Sequence, residues 1–335
     1  MNLYFSFIVP VYNRPGEIAE LLQSLSVQDY DKPFEIVIVE DGSTESSEEI
    51  VGQFKDTLSI TYLKKKNSGP GPSRNYGMQR AKGNYFIVLD SDCLVPSQYL
   101  SIVHNALETG YVDCYGGPDA AHPSFSKIQK AINYAMTSVL TTGGIRGNKS
   151  AVDKFQPRSF NMGISREAFE RTEGYGNIHP GEDPDLTFRI WEAGFETRLI
   201  ADAYVYHKRR IDWKKFFVQV KKFGMVRPIL NRWHPGTGKI TYWFPSLFCL
   251  GLLMAIVSLF FGLVAPVTIY LLYFGLLFVH SMGINKNVTV AFLSLIAVLI
   301  QFTGYGYGFI RNTLLLAVSD KKPQELFPRL FFKTD

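Results

Sequence analysis

The sequence predicts an α/β protein: a largely parallel β-sheet with helices on both faces, followed by an amphipathic segment and a hydrophobic region long enough to enter a membrane. Short runs rich in Ile, Val and Phe alternate with stretches of helical periodicity through the N-terminal part of the chain. Polar and acidic residues gather just after those runs, where ligands bind in such sheets. From Tyr242 to Val318 charge almost vanishes.

Taken in order, Phe5 to Val11 is an apolar run ended by Asn13, Arg14, Pro15 and Gly16, after which Ile18, Leu21, Leu22 and Leu25 recur at helical spacing. This is strand, loop, helix. The pattern returns at Glu35 to Val39, ahead of Glu40-Asp41-Gly42-Ser43 and a helix through Glu48, Ile50, Val51 and Phe54. A third strand is expected at Ser59 to Leu63, a helix at Ser73 to Ala81, a fourth strand at Tyr85 to Leu89 and another at Tyr111 to Gly117. Ser165 to Arg171 and Asp185 to Ala193 read as helices. Thr141 to Phe160, with Gly143, Gly144, Gly147 and Asn148 and no periodicity, reads as a mobile loop able to act as a lid. The chain thus divides into an α/β domain over residues 1–210, an amphipathic interface segment over 211–240, a hydrophobic region of about three segments over 241–318 and a basic tail over 319–335.

The formal net charge of +5 does not point to nucleic acid, because the basic residues cluster beside the apolar region, where an anionic lipid surface explains them better. Cys93, Cys114 and Cys249 lack the spacing of a zinc site or a disulfide framework, which favours a reducing compartment. Met1 to Pro10 lacks a basic stretch followed by a long apolar one, so the α/β domain is expected in the cytoplasm.

Asp90-Ser91-Asp92 follows the buried-type strand at Tyr85 to Leu89. In extended chain, residues i and i+2 point to one side, so both carboxylates can converge on Mg²⁺ or Mn²⁺ bridging a diphosphate. A solvated turn is the plain alternative. Asp41 ends an earlier strand, where it can accept a hydrogen bond from a base or ribose, with helix capping by Asp41 or Ser43 the competing account. Pro70-Gly71-Pro72-Ser73-Arg74-Asn75 joins a rigid turn, a helix start and a cation, which suits a nucleotide as well as it suits an ordinary surface. Glu182-Asp183 in Gly181-Glu182-Asp183-Pro184-Asp185 can satisfy a helix dipole or take a proton from an attacking hydroxyl. His207 can complete a metal shell or be a half-buried histidine at the domain edge.

Together these residues resemble family 2 glycosyltransferases with the GT-A fold. The matching series is Ile8-Val9-Pro10-Val11-Tyr12-Asn13-Arg14, Val39-Glu40-Asp41-Gly42-Ser43, Ser73-Arg74-Asn75-Tyr76-Gly77, Asp90-Ser91-Asp92, Phe160-Asn161-Met162-Gly163 and Gly181-Glu182-Asp183. The resemblance covers about residues 4 to 210 and implies an inverting, single-displacement transfer from a sugar nucleotide. It implies that Pro10, Val11, Tyr12, Asn13 and Asp41 lie near the base, and that Arg74 and Ser91 belong to the nucleotide site. By the same resemblance Asp92, assisted by Asp90, would hold Mn²⁺ or Mg²⁺, a shell that His207 can complete; Asp183 would be the general base, with Glu182 its competitor. Two departures stand out. The usual paired aspartates of the second motif are Glu40-Asp41, and the Gln-x-x-Arg-Trp signature of processive synthases is missing, since Ile229 stands three residues before Arg232-Trp233. Transfer of one sugar per encounter is therefore expected. A sugar nucleotidyltransferase and a catalytically silent nucleotide-sugar-binding scaffold are the rival readings.

From Lys208 to Trp233 the cations Lys208, Arg209, Arg210, Lys214, Lys215, Lys221, Lys222, Arg227 and Arg232 face one acid, Asp212, and are interleaved with Trp213, Phe216, Phe217, Val220 and Phe223. This predicts an amphipathic helix lying on anionic lipid, a packed connector being the alternative. Trp243 to Phe261, Val264 to His280 and Val288 to Ile310 are candidate spans. Three crossings from a cytoplasmic domain would carry Lys321, Lys322, Arg329 and Lys333 outside, against the positive-inside tendency, so the side of the tail stays open. Almost no ionisable residue interrupts these spans, which argues against a transporter. The expected partners are a nucleotide-sugar donor, a saccharide or lipid-linked acceptor at the cytoplasmic face and anionic lipids, with no nucleic acid.

Overall fold

The computed structural model describes residues 2–120, 125–142, 155–207 and 212–332. They fall into two compact units. Residues 2–120, 155–207 and 331–332 form the first, and residues 125–142 and 212–330 the second. The linear division near residue 210 is thus crossed twice: the stretch 125–142 joins the hydrophobic region, and Phe331 and Phe332 return to the α/β unit.

The first unit is built on a seven-stranded sheet of order β3-β2-β1-β4-β8-β6-β9. Its strands are β1 (Phe5–Val11), β2 (Glu35–Asp41), β3 (Ile60–Lys65), β4 (Tyr85–Leu89), β6 (Cys114–Gly116), β8 (Asn161–Ser165) and β9 (Thr197–Leu199). β1 to β4 pair in parallel, β8 enters antiparallel between β4 and β6, and β9 runs parallel to β6. Side chains alternate between two cores, as the pleat requires. Phe5, Phe7 and Val9 pack with Leu21, Leu22 and Leu100 on one face, while Ile8 packs with Met78, Phe169 and Leu186 on the other. The helices that cover these faces include α1 (Pro15–Leu25), α3 (Pro70–Arg80), α4 (Tyr99–Thr109), α7 (Arg166–Thr172) and α8 (Glu182–Glu192), with the short α2 (Glu48–Gly52) after β2. β2 and β3 lie to one side of β1 and β4 to the other, so the chain order reverses there and the carboxyl ends of β1 and β4 flank a crevice.

The central strands β1 and β4 have the bounds expected from sequence, whereas two helices begin earlier. Pro70 occupies the first helical turn of α3, where its missing N–H costs nothing, and Gly181 (φ 120°) precedes α8, which places Glu182 and Asp183 in its first turn. A second, three-stranded sheet of order β5-β10-β7 joins β5 (Cys93–Leu94), β7 (Asp119–Ala120) and β10 (Val205–His207). The core of the loop read as a lid, residues 143–154, lies outside the described residues, as do Lys208, Arg209, Arg210 and Lys333.

The second unit comprises α5 (Lys127–Thr137), α6 (Val139–Thr142), α9 (Trp213–Trp233), α10 (Phe244–Ser258), α11 (Ala265–Asn285) and α12 (Val288–Ala317). Three helices, Ile240–Phe261, Ala265–Asn285 and Val288–Ala317, are long and apolar enough to cross a membrane by length and composition. The apolar face of α9 is not left for lipid alone. Phe216 and Val220 are buried in a cluster with Phe302, Ala297 and Phe248, and Gly224 lies against the Tyr305 and Phe309 backbone of α12. Lys214, Lys215, Phe217 and Val218 remain exposed.

Candidate active site

The β1 and β2 loops are tied together by Asn13. Its left-handed backbone (φ 52°) lets its Oδ1 accept from the Thr44 N–H at 2.7 Å and the Glu45 N–H at 3.0 Å, while its own N–H donates to Ser43 Oγ at 2.8 Å. Val11 is buried, Pro10 is half-buried, and Tyr12 is 50% exposed. Glu40 faces inward, accepting from Ser47 N–H at 2.8 Å and Tyr62 Oη at 2.6 Å.

Asp41 does not cap the helix that follows it. Its Oδ1 accepts from Lys65 Nζ at 2.7 Å and Ser68 N–H at 2.9 Å, and its Oδ2 from Gly69 N–H at 2.9 Å. The carboxylate therefore shapes the turn that leads into α3. Lys65 reaches it because β2 and β3 pair with Asp41 opposite Lys65.

Asp90-Ser91-Asp92 is a turn, closed by Cys93 N–H donating to Asp90 O at 3.2 Å, and not the extended chain that would set the two carboxylates side by side. Their convergence comes from β10 instead. His207 pairs with Cys93 in the β5/β10 register, which brings His207 Nε2 to 3.1 Å from Asp92 Oδ1 and 3.9 Å from Asp90 Oδ2. Phe160 stacks on the imidazole with centroids 5.2 Å apart, and Arg14 Nη1 lies 3.3 Å from Asp92 Oδ2. Burial pushes the Asp92 carboxyl up, but His207 and Arg14 outweigh it and hold the group below its ordinary value. Ser91 is buried within the turn.

The donor chemistry here suits a hard cation. Asp92, Cys93 and His207 bring ligand atoms within 4.8 Å of one another. Burial and the adjacent Asp92 and Asp90 charges raise the Cys93 thiol well above its usual value, and its Sγ is directed at Phe160 O at 3.4 Å. The thiol is thus a poor ligand, which leaves carboxylate oxygens and one imidazole nitrogen, a set that fits Mn²⁺ or Mg²⁺.

Arg74 joins the two acidic clusters. It is 3% exposed; its Nη2 donates to Asp90 Oδ1 at 2.7 Å, and its Nη1 lies 3.5 Å from Glu182 Oε1. Tyr175 presents its ring 5.2 Å from the guanidinium carbon. Glu182 also meets His179 Nδ1 at 3.0 Å. Burial would raise its pKa, but His179, Arg74 and the backbone overcome that and lower it. Its neighbour Asp183 is shifted the other way, raised first by burial and then by the Glu182 charge, against Arg74 and Arg158. One Asp183 oxygen is buried without a hydrogen-bond partner among the described residues. Two adjacent carboxylates thereby differ: Glu182 is held ionised in ion pairs, and Asp183 keeps a free lone pair with raised basicity.

The expected residues thus gather at the carboxyl ends of β1, β2 and β4 and the first turn of α8. Sequence reasoning assigned no role to Lys65, His179 or Arg14. The signal for His179 was present in its spacing three residues before Glu182, whereas Lys65 becomes visible only with the β2/β3 register.

The model of glycosyl transferase family 2 matches residues 6–172. A glycosyltransferase of Rickettsia felis is 36% identical over 129 residues, covering 38% of this chain and 20% of the relative. The poly(ribitol-phosphate) beta-N-acetylglucosaminyltransferase TarS of Staphylococcus aureus is 38% identical over 99 residues, covering 29% of this chain and 17% of the relative. The chain therefore spans about a fifth of the length of these relatives. In fold it is similar to a mannosyltransferase of Pyrobaculum calidifontis, with TM-score 0.60 and 18% identity over 89% of this chain and 86% of that one. With the ordered motifs, the crevice they line and the matched family model in agreement, this chain belongs to glycosyl transferase family 2 over residues 6–172.

Proposed function

We propose that this glycosyltransferase moves one sugar per encounter, with inversion, from a nucleoside-diphosphate sugar to a lipid-linked saccharide used in cell-surface polysaccharide assembly. The observation that carries the reading is the pair of unlike carboxylates at the α8 N-terminus, bridged by buried Arg74 to the Asp90–Asp92–His207 cluster. The donor nucleotide lies against Tyr12 and the turn shaped by Asp41, and its diphosphate points toward Asp90 and Asp92. The acceptor hydroxyl oxygen forms its bond to the anomeric carbon as the bond from that carbon to the diphosphate oxygen breaks, and its proton passes to the Asp183 carboxylate. The nucleoside diphosphate departs with the bonding pair. Glu182, fixed by Arg74 and His179, orients the acceptor. Asp92, Asp90 and His207 would hold a divalent ion, which would supply charge neutralisation at the leaving diphosphate.

The named neighbours support this reading. The mannosyltransferase was solved with GDP-Man and Mn²⁺, and TarS acts on poly(ribitol-phosphate). The exposed Lys214 and Lys215 beside three apolar helices suit attachment to an anionic bilayer that carries a lipid acceptor, with the catalytic unit at its cytoplasmic face. A panel of nucleotide sugars, assayed on the full chain with native lipid extract and Mn²⁺, tests the reading. Release of nucleoside diphosphate together with a glycosylated lipid is expected. Release of a sugar phosphate would show that a different donor bond breaks and would make the protein a nucleotidyltransferase.

A further inference from the structure

Two residues from the far end of the chain are built into the wall of this crevice. Phe331 forms an antiparallel bridge with Ile178, and the Phe332 N–H donates to Asn177 O at 3.0 Å. The Phe332 ring then covers Gly69, whose positive φ (94°) and missing Cβ it exploits: a Cβ at Gly69 would fall inside the contact distance of three ring carbons. The same ring lies against the His179 imidazole, with centroids 5.5 Å apart and planes at 46°.

Both contacts lead to site residues. The Gly69 N–H donates to Asp41 Oδ2, and His179 holds Glu182, which in turn faces Arg74. Asn75 already links α3 to this segment by accepting from Tyr175 N–H and donating to Tyr175 O, both at 2.8 Å, so the chain can approach without Phe332. What Phe332 adds is a rigid face touching both sides at once. It is half-buried, not part of either core cluster, and so is not required to fill the sheet's interior.

We propose that Phe332 is a positioning residue: its ring sets the Ser68–Gly69 turn that grips Asp41 and the imidazole that orients Glu182 in one arrangement, so that nucleotide binding and acceptor-side geometry depend on the C-terminal segment. This rests on the assignment of Asp41 to the nucleotide site. Displacement of such groups by about an ångström costs on the order of a hundredfold in rate.

The test uses the full chain with Phe332→Ala, Phe332→Leu and Phe332→Tyr, titrated calorimetrically with UDP and with GDP in Mn²⁺, followed by transfer kinetics. For Phe332→Ala we expect about a tenfold weaker Kd at an unchanged binding stoichiometry and a larger fall in kcat, with Phe332→Tyr restoring both. Phe332→Leu keeps an apolar anchor and the strand bridge but loses the flat face, and is expected to bind weakly as well. A reduced stoichiometry at the parental Kd in both Phe332→Ala and Phe332→Leu would show a purely structural role and overturn the proposal. Parental Kd and kcat in these variants would overturn it too, while leaving the nucleotide site intact. Failure of the parental chain to bind either nucleotide would instead remove the Asp41 assignment and, with it, the basis of the proposal.

Discussion

Asp183 and Glu182 are adjacent in sequence yet pushed in opposite directions, and the consequence is measurable. Replacing Asp183 by Asn removes the proposed proton acceptor, so transfer is expected to fall by about 10²- to 10⁴-fold while the donor Kd stays close to parental. The pH dependence has a definite sign. The proton-accepting form of Asp183 is its carboxylate, and burial with the Glu182 charge raises its pKa, so activity is lost on acidification at a higher pH than an unperturbed aspartate would give. In Glu182→Gln that charge is gone, and the acid limb of the transfer profile is expected to move to lower pH. An unmoved limb would take Asp183 out of the profile. At the cation cluster, Asp92→Asn removes one formal charge from a hard-ion site and is expected to abolish Mn²⁺- or Mg²⁺-dependent turnover with little change in Tm; full activity in EDTA would refute this. Much at this scale was legible. The two aspartates, Asp41 and the α8 acids could be picked out by their position after strands or before a helix. His207 could be named but its place beside Asp92 could not, because it depends on a β5/β10 pairing between residues far apart in sequence.

At the scale of elements, strands buried on both faces announce themselves as near-continuous apolar runs, which is why Phe5–Val11, broken only by Ser6 among its non-proline residues, and Tyr85–Leu89 match their expected bounds. The antiparallel insertion of β8 between β4 and β6 had no local signature, since strand neighbours are chosen by long-range pairing. The same holds for α9: its basic-aromatic pattern describes a helix with two faces but does not say that α12 covers one of them. The seam is narrow. A Cβ at Gly308 would meet the Lys221 carbonyl and lie 3.0 Å from Met225 N, whereas Gly275 in α11 has nothing within 4 Å. Gly308→Leu is therefore expected to lower thermal stability in detergent, with overpacking typically costing about 1–3 kcal/mol, and Gly275→Leu to leave it unchanged. Nucleoside diphosphate binding should survive in both, since the crevice is built from the first unit. Equal melting of the two variants would contradict the close α9–α12 packing.

For the molecule as a whole, composition showed where charge ends and apolar chain begins, but not that the chain comes back. Nothing local in Phe331-Phe332 distinguishes them from any short apolar pair. Their place in the α/β unit follows from the bridge to Ile178.

That bridge imposes a parity rule. Residues 2–120, 155–207 and 331–332 share one folded unit and so one aqueous compartment, which makes the number of membrane crossings between residues 207 and 331 even. Of the three helices long enough to cross, two or none are therefore expected to do so. Lys321, Lys322 and Arg329 are then expected on the same side as Lys214 and Lys215, the side that the positive-inside tendency would assign to the cytoplasm. In a chain with Cys249 replaced by Ala, single cysteines at Asp56 and Ser319 are expected to react with a membrane-impermeant maleimide in vesicles of the same orientation, and cysteines at Gly262 and Lys286 to show which helix stays in the plane. Opposite labelling of Asp56→Cys and Ser319→Cys would mean an odd count, and Phe331 and Phe332 could not then pack in the α/β unit.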